Sequence, residues 1–551
     1  MKRKLLILAA LFALIMQANA QLGFDGKPKV VTEPLVSQSQ QAVPTERLAR
    51  IDNNKYILED MQVDGKDHPY RLSVMQNVSI SNKTHGLTTT LPSGDVVWRI
   101  GIKTEGAEHT FPIFSKFDIP EGAELFIYTP DRSFVIGGFN IENTNEDGGF
   151  YTQALPGDEF IVEYYEPAQV AGKGTLEISQ VAHGYKPFLE FTNRKNEKIL
   201  DNSSGSCEIN VACTIGNNWA DQKRSVVLMY MTYGGDGYMC TGTMINNTSN
   251  NKTNYMLSAN HCIEDFSSLT SVTFTFYFNA QTSTCTGTSG NRSQSLTGAT
   301  KLANYASSDF LLMRLNSSIP ASYQVYYAGW SRSTSSLVGC CIHHPFGDWK
   351  KISIPRNVQA MSGSNVNFWY VSWKTGSSNQ GCVERGSSGS ALFNANKLVI
   401  GQLKGGSSDC QYVNYSDYMY DMYGRFDKSW TGGGTNATRL SNWLDPQSSG
   451  ATSCQGLNYN ASVGIEQASQ ETATMTICPM PSTGIFNIDI PDLGEASYTV
   501  YDMMGRIAIQ ARTVFSTNVH KINLSALPSG AYRLVVTVNG NRYTKPILIK
   551  K

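Results

Sequence analysis

Arg385-Gly386-Ser387-Ser388-Gly389-Ser390-Ala391-Leu392 is a run of small residues that leads into an apolar segment. Residues this small permit a tight turn that exposes the Ser388 hydroxyl and aims backbone N–H groups at one point. Gly386 and Ser388 are the two expected donors. Gly/Ser runs also occur in plain loops, so taken alone this one is of moderate specificity, and two stretches upstream sharpen its meaning. In Leu257-Ser258-Ala259-Asn260-His261-Cys262 an apolar strand ends in small residues just before His261, with Cys240-Thr241-Gly242 preceding it. In Ser307-Ser308-Asp309-Phe310-Leu311-Leu312-Met313-Arg314-Leu315 an aspartate opens an apolar strand, a place where a carboxylate is costly unless paired. By itself His261 reads as a structural histidine and Asp309 as a turn aspartate. Together with Ser388 they supply the hydroxyl, imidazole and carboxylate of acyl transfer, in the order His, Asp, Ser within one region. We therefore expect His261 as general base, Asp309 as its orienting carboxylate and Ser388 as nucleophile.

That region, roughly 206–445, is β-rich, with Val272-Thr273-Phe274-Thr275-Phe276-Tyr277-Phe278 its plainest strand. Apolar residues at helical spacing in 437–444, ahead of Asp445-Pro446, predict a closing helix. Of the eleven cysteines, ten lie between Cys207 and Cys454, none lies between Gln21 and Ser206, and Cys478 stands alone. The N-terminus explains why such cysteines would be oxidised. Lys2-Arg3-Lys4, an apolar run from Leu5 to Met16 and Ala18-Asn19-Ala20 make a secretory signal peptide, 1–20, leaving Gln21 first. An N-terminal anchor is the weaker reading, because no stop-transfer pattern follows. Lys plus Arg and Asp plus Glu both total 45, so no field of one sign exists to attract nucleic acid or anionic lipid. The expected partners are protein or peptide substrates, with no nucleic acid, no cofactor and a monomeric state.

The stretches Ser204-Gly205-Ser206-Cys207, Cys240-Thr241-Gly242-Thr243, Asn260-His261-Cys262, Ser308-Asp309-Phe310, Ala328-Gly329-Trp330, Ile342-His343-His344-Pro345, Gly386-Ser387-Ser388-Gly389-Ser390 and Trp443-Leu444-Asp445-Pro446 run in order along the chain. In them the central region resembles the bacterial lysyl endopeptidases, a branch of the trypsin-like double β-barrel proteases. The resemblance implies a secreted serine endopeptidase cutting after lysine, with disulfides Cys207–Cys410, Cys213–Cys285 and Cys240–Cys262. Cys340, Cys341, Cys382, Cys454 and Cys478 have no family partners, and two further bridges among the first four are expected, with their connectivity open. Asp421-Met422-Tyr423-Gly424-Arg425 matches the family's pocket motif and nominates Asp421 for the substrate's basic side chain, with Asp417 its rival. Lys404 stands where the resembling enzymes carry histidine, and Trp373 matches the neighbouring aromatic, so the Lys404 cation is expected on the Trp373 ring. Lys404 and Gly405 belong to the segment expected to pair with substrate backbone. His343 and His344 read as structural and no metal is expected. Ser387 stands where many trypsin-like enzymes have aspartate, so activation is not expected to need an ion pair with a new N-terminus.

The flanks complete an all-β expectation. Residues 21–198 are cysteine-free, with strand-like Val97–Lys103, Glu124–Tyr128 and Phe160–Tyr164, and resemble the pro-segments of such proteases. This part is expected to aid folding and restrain activity until a cut near Lys198-Ile199; a permanent carbohydrate- or surface-binding domain is the competing reading. The protease domain is placed at 199–455 and a linker at 456–474. Residues 475–551 are expected to form a β-sandwich. Pro479-Met480-Pro481-Ser482-Thr483-Gly484, Leu524-Ser525-Ala526-Leu527-Pro528-Ser529-Gly530-Ala531-Tyr532 and Lys545-Pro546-Ile547-Leu548-Ile549-Lys550 resemble the C-terminal sorting domain of type IX secretion. That implies the type IX machinery as a partner and export across an outer membrane, to the medium or the cell surface. A plain β-sandwich binding module is the alternative. For the whole chain, the alternatives are a protease of different P1 preference and an inactive protease-like adhesin.

Overall fold

A computed structural model describes residues 27–551 except 38–41, 64–65, 67, 145–147, 189–203, 264–271, 336–337, 462–474, 503–506, 539–540 and the side chains of 541–542. The expected signal peptide and the cleavage point at Lys198-Ile199 lie outside the described residues. The chain divides into two compact units, Met1–Val463 and Gly464–Lys551.

In the first unit, Val96–Lys103 illustrates how the N-terminal region is built. Trp98, Ile100 and Ile102 face the large core while Val97 faces Val36 and Leu91, so the strand is apolar on both sides. It pairs with Glu159–Glu166, which pairs in turn with Glu124–Tyr128. A second sheet carries Tyr70–Ser81, His109–Asp118 and Thr175–Gly184. A helix, Asn53–Asp60, also occurs here, and the β reading of this region missed it; the Asp52 side chain caps it by accepting from the Asn54 N–H.

The second sheet does not end within the N-terminal region. Tyr70–Ser81 lies antiparallel to Asp236–Met244, with Tyr70 opposite Met239 and Val74 opposite Asp236, making one 12-stranded sheet. The core follows the ladder. Tyr70, Leu72 and Phe111 pack with Phe188, Tyr230, Met239 and Tyr277. Each such buried side chain is worth about 1.5–3 kcal/mol, so docking here is not marginal.

Two β-barrels follow. The first includes Val226–Tyr233, Asp236–Met244, Tyr255–Ala259, Thr273–Phe278 and Phe310–Leu315 around Met229, Phe276 and Leu311. The second includes Val338–His343, Phe368–Trp373, Ala391–Asn394, Val399–Gly406 and Tyr420–Arg425 around Val371, Leu392 and Leu403. Leu257 and Leu312 of the first meet Ile342 and Phe393 of the second, which fixes one barrel on the other. The expected closing helix is shorter than predicted: a 3-10 turn at Asn436–Thr438, then a helix only at Ser441–Leu444. Arg439 between them is extended, at φ −145° and ψ 153°, and breaks the helical repeat. Leu457–Asn458 pairs with Tyr326–Tyr327, so strand pairing with the barrels continues beyond residue 455.

The second unit has its own core. The sheet Thr476–Cys478, Ile485–Asp489 and Val519–Asn523 and the sheet Gly494–Tyr501, Ile507–Phe515, Gly530–Val538 and Asn541–Ile549 share Phe486, Ile488, Val500, Leu534 and Val536.

Candidate active site

His261 and Asp309 come together because their strands are neighbours. Tyr255–Ala259 pairs with Phe310–Leu315, placing Ala259 opposite Phe310, so the residues just beyond each share one end of the ladder. Asp309 itself is left-handed at φ +55°, a conformation that aspartate tolerates better than most residues. Its backbone carbonyl accepts from the Asn260 N–H at 2.9 Å. Its carboxylate is fully engaged: Oδ1 accepts from the His261 N–H at 2.9 Å, and Oδ2 lies 2.8 Å from His261 Nδ1. Both side chains are buried. This pairing fixes the ring and leaves Nε2 facing away from the carboxylate, the tautomer a general base requires.

Ser388 sits between Gly386 at φ +88° and Gly389 at φ +82°. At Gly389 a Cβ would lie 2.2 Å from Ser258 Oγ and 2.5 Å from the Thr241 carbonyl oxygen, so only glycine fits. The loop is held across the barrels by the Thr241 N–H, which donates to the Ser388 carbonyl at 2.8 Å beside the Cys240–Cys262 disulfide. Behind it, His343 Nδ1 is 2.8 Å from Ser387 Oγ, and His343 Nε2 is 2.9 Å from Ser353 Oγ and 3.5 Å from Glu208 Oε2. Burial pulls the His343 imidazole down to about 3 and pushes the Glu208 carboxyl well up, so desolvation disfavours charge on both of these groups behind the loop. His343 thus has a structural place, as its sequence suggested, and also supports the residue before the nucleophile. His344 Nδ1 is 2.9 Å from the Asp348 carbonyl oxygen.

Of the two aspartates nominated for the pocket, Asp417 is exposed and Asp421 is buried. Asp421 is fully buried on Tyr420–Arg425, opposite Gly406. A Cβ at Gly406 would meet Asp421 Oδ1 at 2.7 Å, which explains the glycine. Trp373 Nε1 donates to Asp421 Oδ2 at 2.6 Å, and the Ser408 hydroxyl makes a short hydrogen bond to the same oxygen. Burial pushes the Asp421 carboxyl up, and the neighbouring Lys66 cation works against that rise.

Lys66 comes from the N-terminal region, and nothing in its sequence setting predicts its position. It is 5% exposed. Its Nζ donates to Asp421 Oδ1 at 2.8 Å, Ser408 Oγ at 2.9 Å and the Val383 carbonyl at 2.6 Å, matching the three protons of an ammonium. Its own carbonyl oxygen accepts from the Ser388 hydroxyl at 2.9 Å. Ser388 is therefore turned towards Lys66, and His261 Nε2 is buried without a hydrogen-bond partner among the described residues. Among those residues, the Gly386 and Ser388 N–H groups also make no hydrogen bond.

Two expectations need correction. The Lys404 cation does not lie on Trp373: its Nζ is 5.9 Å from the Phe368 ring centre, while the Trp373 indole is committed to Asp421. The ladder is irregular between Leu403 and Gly405, which leaves Lys404 out of register, while Gly405 pairs with Met422. No additional disulfides form either. Cys207–Cys410, Cys213–Cys285 and Cys240–Cys262 are bonded, whereas Cys340, Cys341, Cys382, Cys454 and Cys478 are in no disulfide. Cys340 and Cys341 are adjacent on one strand, so they point into different cores and cannot share a partner. Cys207, Glu208, Cys382 and Cys410 converge, but two of the sulfurs are spent on the disulfide and burial pushes the Cys382 thiol well up, a poor donor set for a metal.

Two regions of the chain match known protein families. Residues 201–424 match the family described as lysyl endopeptidase, C-terminal domain, and residues 476–550 match the secretion system C-terminal sorting domain. A lysyl endopeptidase of Pseudomonas aeruginosa is 29% identical over 379 residues, covering 62% of this chain and 79% of that protein. Among solved structures, a Glu endopeptidase in complex with MPD is 18% identical, covering 40% of this chain and 91% of its own, with TM-score 0.26. The HtrA-type protease AlgW with tripeptide is 12% identical, covering 61% and 96%, with TM-score 0.28.

Proposed function

We propose, from the premise that this chain is a secreted serine endopeptidase of the lysyl endopeptidase kind, that it cleaves peptide bonds after lysine using His261, Asp309 and Ser388. The match at 476–550 indicates type IX export across the outer membrane. On our reading, 1–20 is the signal peptide, 21–198 the pro-segment, 199–455 the protease, 456–474 a linker and 475–551 the sorting part, engaging the type IX machinery, with a monomer as the active species.

One observation carries the lysine assignment. The same residue, Lys66, places its ammonium on Asp421 and its carbonyl at the Ser388 hydroxyl. The distance from pocket base to nucleophile is therefore one lysyl side chain, and a substrate lysine seated there presents its own carbonyl to Ser388. Three acceptors around one nitrogen suit an ammonium better than a planar guanidinium with five N–H groups. Arginine should be cleaved less well.

In the reaction, His261 Nε2 takes the Ser388 proton as Oγ attacks the carbonyl carbon, and Asp309 stabilises the imidazolium through Nδ1–H. The Gly386 and Ser388 N–H groups receive the oxyanion. His261 then protonates the leaving amine, and water hydrolyses the ester by the same steps in reverse. Trp373 and Ser408 hold the Asp421 carboxylate, while Lys404 and Gly405 lie on the segment that runs beside substrate backbone. The experiment is to label the processed enzyme with a fluorophosphonate and assay matched lysyl, arginyl and leucyl peptides. Labelling of wild type but not Ser388→Ala, with the lysyl peptide cleaved fastest, is the expected result. No labelling would mean a binding protein, and preference for another side chain would remove the lysine assignment.

A further inference from the structure

We propose that the N-terminal region is an inhibitor of its own catalytic unit in which Lys66 plays the part of a substrate lysine held out of reaction. This rests on the reading of Asp421 as the lysine pocket.

Lys66 is not a surface lysine that strays into a cleft. Its ammonium has all three acceptors, in a pocket whose base is wholly buried. The residues around it are anchored independently. Arg385, next to the donor Gly386, gives Nη1 to the Asp60 and Val63 carbonyls at 3.3 and 3.2 Å. Asp60 is held by Arg71, by Lys186 and by the Tyr185 hydroxyl at 2.7 Å. Just beyond Lys66, Tyr70–Ser81 adds to the Asp236–Met244 strand as an extra strand, the mode by which extended peptides bind sheet edges. Helix end, pocket residue and added strand therefore grip the catalytic unit at successive points.

The seating is substrate-like in the pocket and unlike a substrate at the nucleophile. A reacting carbonyl oxygen belongs at the Gly386 and Ser388 N–H groups, with the Ser388 proton shared with His261. Here the carbonyl oxygen accepts the Ser388 O–H hydrogen bond, and His261 Nε2 is left without a partner among the described residues. A hydroxyl whose hydrogen bond is given to the plug is not deprotonated by the base. Lys66 thus fills the specificity site and diverts the nucleophile at once. Activity requires that the region be released.

The test uses the full chain, with a biotinylated fluorophosphonate as probe and a gel that separates uncut from processed chain. Wild type, Lys66→Ala and Lys66→Met are compared, and thermal melting establishes that each variant is folded. The uncut wild-type band should label slowly, while both uncut variants label about 100-fold faster, the scale of losing a buried ion pair. Processed bands, which lack residue 66, should label alike in all three. Uncut variants as slow as uncut wild type, or uncut wild type as fast as the processed band, overturn the proposal. A processed band that takes no label strikes the catalytic reading instead.

Discussion

The proposed specificity pocket and the proposed triad are joined through Lys66, and their polar groups are satisfied to different degrees. Asp421 accepts from Lys66, Ser408 and Trp373, and the lysine brought to it has every donor used. At the triad only the Asp309–His261 half is assembled, and Ser388 is bonded elsewhere. The pocket is a finished binding site built from buried side chains. The triad lacks one hydrogen bond, and that bond is occupied by the ligand of the pocket. Recognition and chemistry can thus be separated by substitution, and each substitution tests whether the division is real.

The largest effect should come from the chemical side. Ser388→Ala or His261→Ala should lower kcat of the processed enzyme by about 10⁶-fold, with little change in KM for lysyl peptides. Asp309→Asn should cost about 10⁴-fold by favouring the wrong tautomer of His261. A comparable rise in KM from either would show that pocket and triad are not independent. On the binding side, Asp421→Asn should lower kcat/KM for lysyl substrates by about 10³-fold, since a desolvated charge pair loses one partner. Its fluorophosphonate labelling should stay near wild type, because that probe needs no pocket.

The smallest effect concerns a carboxyl beside the pocket. Glu384 accepts from the Gly205 N–H at 2.8 Å, and burial pushes it up to about 7 from an ordinary value near 4.5. The folded chain therefore holds a proton that the unfolded chain releases, so stability is fullest below pH ~4.5 and falls as pH rises through about 7. Denaturant melts of the processed enzyme at pH 5 and pH 8 should differ by roughly 1–3 kcal/mol from this group, and Glu384→Gln should flatten that difference.

The same division explains what could be read from the amino acids alone. His261, Asp309 and Ser388 are each ambiguous alone and become legible together, because their strand-end and small-residue settings occur in the order His, Asp, Ser within one region. Asp421 and the three bonded cysteine pairs followed from a family pattern. Lys66 had no such signal: its partners are 317 to 355 residues away, and a lysine between Gly65 and Asp67 looks like any polar loop. Ser408 and Val383 acquire meaning only once Asp421 is placed in three dimensions. Lys404 was misjudged because one irregular step in a ladder moves a side chain to a new neighbour. The helix Asn53–Asp60 was missed because its eight residues carry no clear apolar stripe within an otherwise β-rich stretch, and its Asp52 cap resembles a turn residue.

The central claim is that one lysyl side chain spans the distance from Asp421 to Ser388. The most direct measurement is to expose a peptide library to processed wild-type enzyme and to Ser388→Ala, and to sequence the new C-termini by mass spectrometry. Lysine at nearly every new C-terminus with wild type, and no cleavage with the variant, is the predicted result. Cleavage that ignores lysine, or that survives loss of the Ser388 hydroxyl, would contradict the account.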